Sequence, residues 1–293
     1  MNLAEFFQRA IRYGIAYDPR KKQALKRIKN PYSDSLILYG DLKSPVKKIL
    51  VGIDIEVEEI LLADRIKQNG GLDLIVSHHP EGKALANLYR VMELHTQILS
   101  RVGVSEKIAR ALMEERIRQV ERKLLSLNHL RTVDVAKLLK IPFVCLHTPA
   151  DNLATYFIKK LMQEKKPKYL KDVLEILEEV PEYNLAKKES VGPRLLLGNP
   201  FSKVGKIFVE MTGGTEGSKD IFSYLYRKGI RTLICMHLSE EHFQKVKDIN
   251  LNVIIAGHIS SDTLGLNLLL DRIDAGSNLE IIECSGFRRI SHR

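Results

Sequence analysis

A chain of 293 residues, 44% of them hydrophobic, can bury a large core and is long enough for two domains. Its 46 basic and 36 acidic side chains leave a formal charge of +10, a surplus that favours anionic substrates or nucleic acid. That charge is spread over many segments and forms no basic tail, which speaks against nucleic acid as the principal partner.

Cys145, Cys235 and Cys284 are far apart, odd in number and form no CxxC pair, so neither a disulfide framework nor a thiolate zinc site is expected. No signal peptide opens the sequence, and no apolar run approaches the ~18 residues of a bilayer span. The expectation is a soluble, cytoplasmic protein with no membrane partner.

Leu3, Phe6, Phe7, Ala10 and Ile11 share one side of an amphipathic helix predicted over 3–14. A basic run, 20–29, reads as a solvated helix face, followed by the turn-rich Asn30-Pro31-Tyr32-Ser33-Asp34. Residues 1–35 thus form an N-terminal helical extension. Strands are predicted over 35–39 and 48–53. A helix over 56–67, with Ile60, Ala63 and Ile66 at helical spacing, stops at Asn69-Gly70-Gly71. The mainly apolar run 72–76 then reads as a buried parallel strand stopped by Pro80.

His78 and His79 stand at the carboxyl end of that strand, where open α/β sheets place their ligands. On the turn after a strand, two neighbouring imidazoles can converge on one point, and neutral imidazole is a common metal ligand. A polar strand exit with one histidine satisfied by backbone is the alternative.

Residues 85–139 are largely helical, with Glu106/Arg110 and Glu114/Arg118 at i,i+4. They read as a helical layer or interface arm, with His95 and His129 as surface or core residues. A strand over 141–146 ends in His147-Thr148-Pro149-Ala150-Asp151. Helices follow over 153–163 and 170–180. Pro181, Gly192, Pro193 and Asn199-Pro200 then mark an inter-domain link, so the domains expected are 36–180 and 181–293. Beyond it come a strand (206–211), a glycine-rich loop (212–218), a helix (220–227), a strand (232–236), a helix (240–247), a strand (253–256), a helix (264–270) and a strand (279–284).

Residues 48–79 align without a gap on 206–237, placing His79 on His237. The next strand of the first half ends in His147-x-x-x-Asp151, and that of the second in His258-x-x-x-Asp262. The fold class expected is α/β, with two similar halves, mixed sheets and a helical insertion. If the halves face each other, His78, His79, His147, Asp151, His237, His258 and Asp262 converge. Mixed imidazole and carboxylate ligands suit Zn, Mn, Fe, Co or Ni, and carboxylates can bridge two cations ~3.5–4 Å apart that activate a water for hydrolysis. Gly213, Gly214 and Thr215 lie between a strand and a helix start, a place for a phosphate; a plain tight turn is the alternative.

Three motifs in order, strand-His78-His79-Pro80, His147-Thr-Pro-Ala-Asp151 and Gly257-His258-Ile-Ser-Ser-Asp262, resemble the Nif-three-like dinuclear-metal family, often labelled GTP cyclohydrolase I type 2 homologues. The match covers about 36–80 and 141–285. The resemblance implies a duplicated α/β fold, two divalent metal ions in a cavity between the halves, and ring-like homo-oligomers built from dimers. It also implies ligands at His78, His79, Asp151, His258 and Asp262, with His147 beside them.

This chain departs from that pattern in three ways. The last motif usually ends in glutamate, and Asp262 is one methylene shorter, so equal reach demands a backbone shift. A long helical segment separates His79 from His147, and residues 1–35 fall outside the match. Cys235-Met236-His237 stands where the family often has Thr-Gly-Asp. His237 and His242 are therefore candidate proton-transfer groups, supporting or exposed positions being the alternative.

The leading functional expectation is a dinuclear metal-dependent hydrolase acting on a nucleotide or other phosphorylated small molecule. Cyclohydrolase activity rests on the family label alone. The competing class is a non-enzymatic metal-binding regulatory or scaffold protein whose helical arm binds partners.

Overall fold

The computed structural model describes residues 1–20, 25 and 28–293; most of the basic run 20–29 lies outside the described residues. Strands β1 (Ile37–Tyr39), β2 (Lys48–Gly52), β3 (Leu74–Ser77) and β4 (Phe143–Cys145) are followed by β5 (Arg194–Leu197), β6 (Lys206–Glu210), β7 (Ile230–Cys235), β8 (Asn252–Ile255) and β9 (Glu280–Glu283). They form two mixed sheets, ordered β1-β4-β3-β2-β9 and β5-β8-β7-β6. In each sheet the first strand is antiparallel to its neighbour and the others run parallel. Every residue of β3 is buried, as expected of a parallel strand covered on both faces.

The sequence repeat extends to hydrogen-bonded register. Leu50 pairs with Ile75 and Gly52 with Ser77; at the aligned positions Phe208 pairs with Leu233 and Glu210 with Cys235. The α/β class with two similar halves is therefore the observed one. The halves differ at one edge, where β9 adds to β2 and β6 stays the outer strand of its sheet.

The helices are α1 (Leu3–Ala16), α2 (Val57–Gly70), α3 (Glu93–Arg101), α4 (Glu106–Leu124), α5 (Arg131–Leu138), α6 (Thr148–Lys165), α7 (Leu170–Glu178), α8 (Pro181–Lys188), α9 (Ile221–Arg227), α10 (Glu240–Asp248) and α11 (His258–Ile273), with two shorter pieces over 82–91. A capping box starts α1: the Asn2 carboxamide accepts from the Glu5 N–H at 2.9 Å and Glu5 accepts from the Asn2 N–H at 3.0 Å. Gly71, with φ of 78°, ends α2 where the Gly-Gly pair predicts a stop. No helix of the described residues is long and apolar enough to cross a membrane.

The chain divides into two compact units, Met1–Val91 with Arg118–Leu153 and Asp262–Arg293, and Met92–Ile117 with Ala154–Ser261. The boundaries differ from the contiguous 36–180 and 181–293 because β9 returns to pair in parallel with β2, and the helical insertion is divided between the units. The expected link over 181–200 is also structured. Pro181 opens α8, where its missing N–H needs no partner, and β5 pairs with β8.

Two helix starts differ from expectation in a way that matters for the site. The helix expected from 153 begins at Thr148, so Asp151 lies in its first turn. The helix expected from 264 begins at His258, so Asp262 stands one turn inside α11. The two helices meet backbone to backbone, and a Cβ on Gly265 would come within 2.6 Å of the Ala150 carbonyl oxygen. Gly265→Ala should therefore force the helices apart and lower stability by about 1–3 kcal/mol in thermal or urea unfolding; an unchanged midpoint would show that the approach is not tight.

Candidate metal centre

Within the first unit, His78 and His79 follow β3, His147 follows β4, and Asp151 and Asp262 project from α6 and α11. His78 is fully buried, and its Nε2 lies 3.3 Å from both Asp151 Oδ1 and Asp262 Oδ1. Neither ring nitrogen of His78 nor Asp151 Oδ1 makes an aligned hydrogen bond. Buried polar atoms are nearly always satisfied, so imidazole and carboxylate atoms that face one another at close range with poor hydrogen-bond alignment could hold a cation. Donor atoms of His78, His79 and His147 come within 4.8 Å of one another, as do those of His78, Asp151 and Asp262.

Two carboxylates outside this set aim the imidazoles. Asp54 accepts from His79 Nδ1 at 2.6 Å, leaving Nε2 3.4 Å from Asp262 Oδ2. Asp34 accepts from His147 Nδ1 at 2.8 Å and from Thr148 Oγ1 at 2.6 Å, leaving His147 Nε2 3.8 Å from Asp151 Oδ2. With Nδ1 donating, each ring turns its Nε2 lone pair inward, as metal-ligating histidines held by carboxylates do. Asp34 also accepts from the Ser35 hydroxyl at 3.2 Å. Tyr32 donates to Asp18 at 2.8 Å, and Asn152, next to Asp151, donates to the Tyr32 hydroxyl at 3.2 Å.

Electrostatics follow from this packing. Burial disfavours the charged form of His78, but Asp262 and Asp151 outweigh it and push the pKa up to about 10. Burial opposes protonation of His79 as well, yet Asp262 and Asp54 raise it to about 9 against the charge of His78. The field that holds protons on these rings would equally hold a divalent cation. The residues present therefore fit metal binding: imidazole and carboxylate donors, buried, and oriented from behind.

Among the other residues singled out by sequence, His258 opens α11 one turn before Asp262. In the second unit, the His258 ring lies 4.7 Å from that of His237. His237 is half exposed at the end of β7, with Nδ1 3.5 Å from Glu216. His242 is buried, and both its ring nitrogens are engaged, Nδ1 with Ser239 Oγ at 2.7 Å and Nε2 with the Gly217 carbonyl at 3.0 Å. It braces the loop internally.

The loop carrying Gly213, Gly214 and Thr215 is held from behind by the helical insertion. Gly213, at φ of 116°, has the His95 imidazole where a Cβ would stand, 2.5 Å away. His95 donates to the Thr215 carbonyl at 2.9 Å, and Arg116 donates to the Glu216 carbonyl at 3.1 Å. The helix that follows, α9, has seven residues. The loop also lies among carboxylates. Burial and the charge of Glu216 push Glu210 up to about 7. Burial acts against ionised Glu216 too, but hydrogen bonds from His237 and Ser239 hold it down at about 2.

Sequence reasoning missed Asp34, Asp54, Glu210, Glu216 and the bracing role of His95. Asp54 and Glu210 could have been found, since each sits at the carboxyl end of the strand beside a histidine strand. Asp34 falls in the turn before β1, inside the N-terminal segment that the family resemblance leaves out.

No family model and no curated protein matches the chain. Among solved structures it is similar to a NIF3 superfamily protein from Sphaerobacter thermophilus, with a TM-score of 0.80 and 24% identity over 95% of this chain and 97% of that one. It is also similar to reduced HcgD from Methanocaldococcus jannaschii, with a TM-score of 0.52 and 17% identity over 90% and 97% of the two chains. The chain thus has the fold of NIF3 superfamily proteins, as the three motifs imply.

The raised histidine pKa values give the metal-free protein a pH signature. The folded chain favours the protonated rings, so this stabilisation is fully present below pH 6.5 and is lost as pH rises through about 9 for His79 and about 10 for His78. The melting temperature of chelator-treated protein should fall across that window, while metal-loaded protein, whose imidazoles are already unprotonated, should not show the decline; a flat profile for the metal-free form would contradict the charge arrangement. Removing the outer partner with Asp54→Asn should weaken metal binding roughly 10–100-fold in a competition titration, with the fold retained.

Proposed function

We propose that this chain is a dinuclear metal-dependent hydrolase of the NIF3 type, acting on a nucleotide or another phosphorylated small molecule. The observation that carries this reading is His78, fully buried between Asp151 and Asp262, with neither ring nitrogen in an aligned hydrogen bond. His78, His79, His147, Asp151 and Asp262 are the proposed ligands. Two divalent ions held there, of the Zn, Mn, Fe, Co or Ni class, would supply a hydroxide at neutral pH and polarise the bond to be cleaved.

The protein residues do the remaining work. Asp54 and Asp34 fix the rings of His79 and His147 so that their Nε2 atoms stay aimed inward. Asp262 lies within 3.4 Å of both His78 and His79 despite its short side chain. His237, half exposed and held by Glu216, is the proposed proton-transfer group. His242, with both nitrogens engaged, would steady the loop from which Glu216 acts. The net charge of +10 favours an anionic substrate.

Elemental analysis after mild dialysis should find about two metal ions per chain, and clearly fewer in Asp151→Ala. Loaded protein should hydrolyse a generic ester such as bis(p-nitrophenyl) phosphate or a nucleotide. Asp151→Ala should lower the rate by at least the roughly 10–100-fold that loss of an outer partner costs. Metal retained without turnover on any phosphoester would favour the regulatory or scaffold class, and no metal after incubation with Zn, Mn and Fe would overturn the reading.

A further inference from the structure

A cavity of about 340 Å³ lies within the second unit and shares no lining residue with the metal centre. Its walls come from α6 and β6. Met162, Val204, Ile207 and Val209 give it an apolar lining, and two cationic residues, Lys159 and Lys166, line it as well. The volume falls in the range of small-molecule sites, about 300–1,000 Å³, and an apolar lining with a few placed polar groups is their usual composition. The outer position of β6 contributes to this arrangement, because its counterpart β2 carries β9 on that side.

The charges are the telling feature. Other lysines near the end of α6 are neutralised, Lys160 by Glu164 at 3.6 Å and Lys165 by Glu179 at 2.7 Å. Lys159 and Lys166 have no ion pair among the described residues. The charged neighbour acting on Lys159 is another cation, Arg101, and burial together with Arg101 holds the ammonium below its ordinary pKa. A half-buried cation without a counter-ion is costly, and an anion bound beside it would relieve that cost. Inorganic anions would leave the apolar wall unused, so the lining selects a ligand with a hydrocarbon body.

We propose that this cavity binds a small amphiphilic anion, a medium-chain monocarboxylate. Its carboxylate pairs with Lys159 and Lys166, and its hydrocarbon lies on Met162, Val204, Ile207 and Val209. The site shares no residue with the metal centre and does not depend on the hydrolase reading.

Calorimetric titration of the full chain with butanoate, hexanoate and octanoate tests this. Binding should be saturable at one ligand per chain and tighten roughly threefold to fourfold for each methylene buried. Lys159→Met should weaken octanoate at least tenfold and leave the weaker binding of octanol unchanged, whereas Lys159→Arg should keep most of the octanoate affinity. A melting temperature for Lys159→Met equal to that of the parent would exclude misfolding as the cause. The proposal is overturned if octanoate does not saturate, if octanol binds as tightly as octanoate, if Lys159→Met leaves octanoate unchanged, or if inorganic phosphate binds the site as tightly as octanoate.

Discussion

Two buried carboxylates flanking one buried imidazole set the terms for the first unit. Asp151 and Asp262 each approach His78 Nε2 at 3.3 Å. Ionised carboxylates taken out of water cost several kcal/mol each unless positive charge answers them, so this core must hold either protons or cations. The surroundings serve that demand. Backbone contact between α6 and α11 brings the carboxylates together, strand ends deliver three histidines, and Asp34 and Asp54 turn two of those rings inward. None of these parts would be favourable alone.

The duplicated half shows how one topology is put to a different use. In each unit a carboxylate from the loop after the first repeated strand meets the histidine that ends the next, Asp54 with His79 and Glu216 with His237. Around His79 further imidazoles and carboxylates gather. Around His237 the space behind the loop is filled by His95 and Arg116 from the helical insertion, and Glu210 is partly buried nearby with its pKa pushed up to about 7. The insertion, which reads in sequence as a layer or arm, is thus an internal support for a loop. Paired carboxylates pushed to different pKa values, about 7 and about 2, give that loop two distinct protonation behaviours in one small volume.

Much of this was legible because it depends on local chemistry. Apolar runs ending in His78-His79 and His147 mark buried parallel strands, and the gapless repeat of 48–79 on 206–237 is the same register of hydrogen bonds. What was hidden depends on contacts distant in sequence. Asp34 reaches His147 across 113 positions and Asp54 reaches His79 across 25, with no motif to announce either. The helices begin at Thr148 and His258, earlier than an apolar stripe marks, because their polar first turns carry the site residues in its place. The return of β9 to β2 has no local signature; a short strand states its face and not its partner.

That return of β9 bears on how the chain matures. The second unit is complete once the chain has been made through Ser261, but the first still lacks Asp262, the rest of α11 and β9. During synthesis, domains fold as units when their segments become available. The earlier-begun unit is therefore the later one to finish, and its edge strand β2 waits unpaired on one side while more than two hundred residues emerge from the ribosome. The carboxylate that flanks His78 from α11 arrives in the same late stretch, so the buried imidazole lacks one of its two carboxylates until then.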